Sequence, residues 1–240
     1  MPPTPPLPRF RVALFDAGLT LLQPTRSVES IYAAFGARQG RPIEPFLPQI
    51  RVAFRELFEA ERQVLASGHD GYVMSDAADY AIWQRICLAV AERIPGLTDD
   101  PQAWFEALYD HFGRAETWQL YPDAMPALQA LAARGVRLGI VSNWDSRLVG
   151  ILAALGVTPL METVAVSAVE GVRKPGPRIF QQTLERLGVA PEDAIMVGDS
   201  LVDDVGGARA AGLTGVLIQR GRAPAPEGVH AIRSLAELLE

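Results

Sequence analysis

Apolar residues along this 240-residue chain fall into two patterns. Short unbroken runs without helical period occur at RVALF (11–15), VRLGIVS (136–142), TVAVS (163–167), AIMVGD (194–199) and GVLIQ (215–219). Such runs are what strands look like when both faces are buried, as in a parallel sheet covered by helices. Between the later runs lie helical stretches, DAMPALQALAARG, SRLVGILAALG, PRIFQQTLERLG and VGGARAAG, most of them closing on glycine, the residue that ends a helix without steric penalty. Strand and helix alternate at the spacing of right-handed βαβ units. The pattern predicts an α/β fold built on a doubly wound, Rossmann-like parallel sheet.

Residues 26–115 break that rhythm. They are far more than one crossover needs, and segments such as IEPFLPQIRVAFRELFEAERQVLA and SDAADYAIWQRICLAVAERI carry amphipathic helical patterning. The expected organisation is a proline-rich leader at 1–9, an α/β core at 10–25 and 116–240, and an inserted helical subdomain at 26–115. The aromatics of the insert, among them Phe54, Phe58, Trp83 and Trp104, read as the core of a helical bundle rather than as a ligand cage.

Composition narrows the function. With 49% hydrophobic residues and a net charge of −6, the chain has ample core material and no basic field to hold nucleic acid or an anionic membrane surface. No apolar window is long enough to span a bilayer, and MPPTPPLP lacks the basic start and apolar stretch of a signal peptide; the expected location is the cytoplasm. The single cysteine, Cys87, rules out an internal disulfide and sits on an apolar helix face, where packing is its expected role. Of 22 basic side chains only Lys174 is a lysine. A point-charge ammonium and a planar guanidinium are not interchangeable at a tight site.

Ligands of open parallel sheets bind at the carboxyl ends of the strands, so polar residues that terminate the apolar runs are the candidates. These are Asp16 after the first run, Ser142 and Asn143 after the second, Lys174 in EGVRKPGP after the third, and Asp199 in VGDSLVDD after the fourth. Each has a plain task if the ligand is a phosphoryl group. Asp16 and Asp199, with Asp203 or Asp204 one turn on, offer hard oxygens to Mg²⁺. Ser142 donates to a phosphoryl oxygen, Lys174 neutralises charge on the transferred group, and Asp16 is placed to attack phosphorus.

The order and type of these residues resemble the haloacid dehalogenase superfamily. Its first motif, Asp-x-Asp-x-Thr, is similar to DAGLT at Asp16 and Thr20 and departs at Gly18; IVSNWD, RKPGPRIF and VGDSLVDD resemble the second, third and fourth. The inserted helices resemble the cap that this family carries between motifs one and two. The resemblance implies a hydrolase, in the main branch a Mg²⁺-dependent phosphatase of a small phosphorylated molecule. Its metal would be held by Asp16, the backbone carbonyl of Gly18, Asp199 and Asp204, with Asp204 favoured over Asp203 by spacing. Ser142, Asn143 and Lys174 would hold the phosphoryl group.

Gly18 replaces the aspartate that in such phosphatases protonates the leaving group and later activates water. The metal-binding carbonyl survives the change; proton transfer is what is lost. His69 and Asp70, in the polar break SGHDGY, are the local candidates for a borrowed acid. Two other readings stand beside the phosphatase: a non-catalytic or regulatory protein that binds phosphate and metal, and a 2-haloacid dehalogenase-type hydrolase. The acidic fourth motif weighs against the latter, and the absence of any cap lysine weighs against phosphonate chemistry through a Schiff base.

Overall fold

The computed structural model describes residues 9–36, 42–67, 73–221 and 226–240. Strand β1 (Val12–Phe15) and the short β2 (Leu22–Pro24) lead into four helices, α1 (Val28–Gly36), α2 (Leu47–Ser67), α3 (Asp76–Arg93) and α4 (Pro101–Phe112). The chain returns through β3 (Trp118–Leu120), which pairs antiparallel with β2. Strands and helices then alternate: α5 (Ala124–Ala133), β4 (Arg137–Ser142), α6 (Leu148–Ala154), β5 (Thr163–Val166), α7 (Ser167–Glu170), α8 (Pro177–Leu187) and β6 (Ala194–Gly198). A π-helical turn at Leu201–Gly206, α9 (Gly207–Ala210), β7 (Thr214–Ile218), β8 (His230–Ile232) and a 3-10 helix at Leu235–Leu239 follow, with shorter 3-10 turns in several of the connections.

The main sheet has the order β5-β4-β1-β6-β7-β8, with every neighbouring pair parallel. The winding runs outward from β1 through β4 to β5, then crosses to β6 on the other side of β1, so the crevice of the fold opens above β1. Alternation along β1 explains its burial on both faces. Val12 and Leu14 pack with Ile179, Phe180 and Met196 on one side; Ala13 and Phe15 pack with Leu128, Ile140 and Val197 on the other. Each large side chain so enclosed contributes about 1.5–3 kcal/mol.

All five apolar runs lie in strands of this sheet, whereas β8 and the β2–β3 pair carry no such run. They are three residues each and too short for alternation to register. The stretch VGGARAAG is helical through Ala210, but not as a single α-helix. Its first two residues belong to the π-helical turn, which starts early because Ser200 caps it by accepting from the Asp203 amide. Gly188, by contrast, closes α8 as expected, with a left-handed φ of 62° and its N–H returned to Leu184 and Glu185 carbonyls.

Helices α1 to α4 enclose a core of their own, including Ile31, Tyr32, Ile50, Val90, Trp104 and Leu108. Ser75 caps α3 through the Ala78 amide, and Asp100 caps α4 through the Ala103 amide with Pro101 at the first position. Two attachments seat this unit over the strand ends. One is the β2–β3 pair; the other is the start of α3, where Asp76 accepts from Ser146 N–H at 2.8 Å and Ser146 Oγ at 2.7 Å. Among the described residues no helix is long and apolar enough to cross a membrane.

Candidate active site

Asp16 follows directly on β1, and its N–H donates to Val197 O at 2.9 Å, extending the β1–β6 ladder by one bond. The carboxylate therefore emerges at the crevice on a rigid backbone. Ser142, the last residue of β4, donates from Oγ to Asp16 Oδ1 at 2.8 Å. Lys174 lies between α7 and α8, only 2% exposed, and donates from Nζ to the same Oδ1 at 2.7 Å and to Asp204 Oδ1 at 2.5 Å. Both donors on Asp16 hold one oxygen; Oδ2 receives neither. Burial works against the Lys174 charge, but the Asp16 and Asp204 charges outweigh it and hold the ammonium above its usual range.

Sequence reasoning sets Asn143 against the phosphoryl group, yet the structure engages its amide elsewhere. Its Oδ1 accepts from Lys174 N–H at 2.8 Å and its Nδ2 donates to Lys174 O at 2.9 Å. Asn143 thus fixes the backbone from which the lysine projects.

Asp204 and Asp203 part company within one turn. Asp204 is buried, and its Oδ2 accepts the Ser200 amide at 2.9 Å. Gly198 makes that position available: a Cβ there would lie 2.1 Å from Asp204 Cγ. Asp203 turns toward the helices and pairs with Arg62 of α2 at 3.3 Å. The Arg62 contact was invisible in the sequence, where α2 shows only surface-type charge.

Asp16, Asp199 and Asp204 each bring a ligand atom within 4.8 Å of the others. Loss of water, then the Asp16 and Asp204 charges, push Asp199 up to about 7. Burial, only partly offset by Lys174, pushes Asp204 up to about 6. Three hard carboxylates sharing one ammonium fit a divalent cation of the Mg²⁺ type.

Beside this rim lies a cavity of about 520 Å³ that reaches from Asp16 and Asp199 into the helices. Phe54, Phe58 and Trp83 line it, and Phe54 and Trp83 also pack against the bundle core, so these aromatics join bundle interior to cavity wall. Trp104 does sit inside the bundle, buried, with Nε1 donating to Tyr32 O at 3.1 Å. Cys87 is buried and shares a 3.4 Å hydrogen bond with the Tyr32 hydroxyl; burial pushes its thiol up to about 12, which keeps it unreactive. At Gly18, a Cβ would meet Trp144 Cζ3 at 3.2 Å. The indole of Trp144 packs edge-on to Trp118, 4.8 Å between centroids, and stands beside the place where an aspartate side chain would begin. Thr20 is buried with no partner for its Oγ1. His69 and Asp70 lie outside the described residues, as do residues 1–8 of the leader.

A model of the haloacid dehalogenase-like hydrolase family matches residues 10–212. Haloacid dehalogenase-like hydrolase domain-containing protein 3 of Mus musculus is 31% identical over 242 residues, covering 96% of this chain and 93% of its own. A phosphoserine phosphatase of Thermus thermophilus is 30% identical over 235 residues, covering 90% and 91%. Among solved structures, a dehalogenase with an intermediate complex matches with a TM-score of 0.68 and 25% identity over 97% of this chain and 96% of that one. A parallel sheet wound about β1, an acidic rim gathered by Lys174 and a match across most of the chain lead to one conclusion: this protein belongs to the haloacid dehalogenase-like hydrolase family.

Proposed function

We propose that this hydrolase is a Mg²⁺-dependent phosphatase of a phosphorylated small molecule, acting through an aspartyl-phosphate on Asp16. The observation that carries the reading is the asymmetry of Asp16: two donors hold Oδ1, and Oδ2 is left to attack. In the first step Oδ2 bonds to phosphorus and the ester P–O bond breaks, releasing the alcohol. In the second, water attacks the same phosphorus, freeing phosphate and the carboxylate. Lys174 and Ser142 hold Asp16 in orientation, and stand where charge develops on the phosphoryl oxygens. Asp16, the Gly18 carbonyl, Asp199 and Asp204 would hold the cation, which supplies further neutralisation of those oxygens. The Thermus thermophilus relative, a phosphoserine phosphatase, supports phosphoryl chemistry.

Gly18 removes the general acid, an effect of about 10²- to 10⁴-fold in rate. The described neighbour at that place is Trp144, which carries no titrating proton, so turnover is slow for esters with poor leaving groups unless another group supplies the alcohol's proton.

Phosphate release from a panel of monoesters tests the proposal. Turnover by the wild type with Mg²⁺, abolished by chelation and by Asp16→Asn, is the expected result. Binding of a phosphate mimic without turnover of any ester would move the protein to the non-catalytic class. A second reading has one observation in its favour: Gly18 together with an apolar cavity suits displacement of halide from carbon. Metal-independent halide release from a 2-haloacid would establish it in place of the phosphatase.

A further inference from the structure

We infer that the cavity beside Asp16 takes a phosphate monoester whose alcohol bears an apolar, aromatic-sized group and no second charge; this rests on the phosphatase reading and names its substrate class. A volume of about 520 Å³ lies within the roughly 300–1,000 Å³ of pockets that enclose small organic ligands. Three rings build one wall. Phe54 and Phe58 stack at 5.7 Å and 10°, Phe58 and Trp83 at 5.8 Å and 22°, and Phe54 and Trp83 at 6.3 Å and 12°. Phe58 keeps 36% of its surface uncovered despite this stack, an apolar area that a ring from the ligand would remove from water.

Recognition of a polar alcohol needs donors or free charges, and the wall offers few. The Tyr32 hydroxyl is engaged with Cys87 Sγ, Trp118 Nε1 donates to Phe112 O at 2.9 Å, and the Tyr109 hydroxyl donates to Asp145 at 3.4 Å. The cations that line the space are matched as well. Arg62 pairs with Asp203 and Glu59, Arg147 with Asp145, and Lys174 with Asp16 and Asp204. Among the described residues, every lining cation therefore has a carboxylate partner. A carboxylate or second phosphate on the substrate would displace one of these pairs or lie unpaired in a largely apolar space, and either outcome is unfavourable.

The test compares 4-phenylbutyl phosphate with O-phosphoserine and glyceraldehyde 3-phosphate, under Mg²⁺ and with the full chain. We expect kcat/KM to favour the phenylbutyl ester by about 10²-fold, as burial of an aromatic group predicts. Equal or greater kcat/KM for either polar ester overturns the inference. Calorimetric titration with 4-phenylbutylphosphonate needs no turnover and separates the two failures. If no ester is hydrolysed but the phosphonate binds at least about 10-fold tighter than inorganic phosphate, the phosphatase reading fails and the cavity assignment holds; if the phosphonate binds no tighter than phosphate, the assignment fails. Phe58→Arg, which adds a cation at a partly exposed site, shifts the preference toward O-phosphoserine by about 10-fold or more, and Phe58→Gln lowers phenylbutylphosphonate affinity by a similar factor. Unchanged selectivity in both folded variants also overturns the inference.

Discussion

The strand-end rim and the helical wall face each other across one cavity and are built on opposite principles. The rim is ionic and closed: Ser142, Lys174 and the Ser200 amide tie Asp16 and Asp204 into one network on four parallel strands and the loops that follow them. The wall is aromatic, and several of its polar tips bond inward. Charge differences decide reaction rates only where groups are held still, and sheet ends supply that rigidity. Apolar contact is non-directional, so a helical wall can change its ligand by changing side chains while the rim keeps its geometry. One surface is suited to the chemistry and the other to the choice of substrate.

The comparison breaks most severely at Asp16, the proposed nucleophile. Asp16→Asn keeps size and both hydrogen-bonding partners but removes the attacking charge, and should lower phosphate release by about 10³-fold or more, with phenylbutylphosphonate binding retained. Next in size is Lys174→Met, which leaves Asp16 and Asp204 buried without their cation; urea unfolding should show a loss of about 3–5 kcal/mol. A stability loss near zero would mean that the rim is looser than the hydrogen bonds imply.

A third test addresses the seam between rim and wall. Asp79 of α3 is buried, with Oδ2 unpartnered; burial, then the nearby Asp145 charge, push it up to about 7. In the native state it holds a proton that the unfolded chain releases near pH 4, so the Asp79 contribution to stability falls as pH rises from about 4 to 7 and is level outside that window. Asp79→Asn should remove this contribution, lessening the fall in stability between pH 4 and 7, and be more stable than wild type at pH 8 by roughly 2 kcal/mol, measured by thermal or urea unfolding across pH.

The smallest effect sharpens the comparison at Gly18. Trp144 reaches across from the loop after β4 to the place where the missing carboxylate would begin. Gly18→Asp alone should change phosphate release by less than about 10-fold, whereas Gly18→Asp combined with Trp144→Ala should raise it by about 10²-fold over Trp144→Ala. A full gain from the single variant would show that the indole yields freely.

The rim was largely legible in the sequence. Asp16, Ser142, Lys174 and Asp199 each follow an apolar run, and a run buried on both faces announces a strand whose end must lie at the edge of the sheet. What these residues do to one another was less visible. Asn143 grips the Lys174 backbone across 31 positions of sequence, and Gly198 is required by the bulk of Asp204, a relation between neighbours that no periodicity expresses. The wall was legible only as helix interior, which Phe54 and Trp83 also are. Phe54, Phe58 and Trp83 satisfy the apolar face of an amphipathic helix whether that face meets another helix or a cavity.

By itself, the sequence determined the parallel sheet, the inserted helices and the residues at the strand ends, because burial on both faces and helical period are local properties readable within a few residues. Only the tertiary structure decided that Asp204 joins Asp16 while Asp203 turns to Arg62, that Trp144 stands beside Gly18, and that three aromatics line the cavity. Those outcomes depend on how each helix is rotated and seated by contacts distant in the chain, such as Asp76 with Ser146 and the pairing of β2 with β3. Local pattern marks which face of a helix is apolar; only packing settles what that face meets.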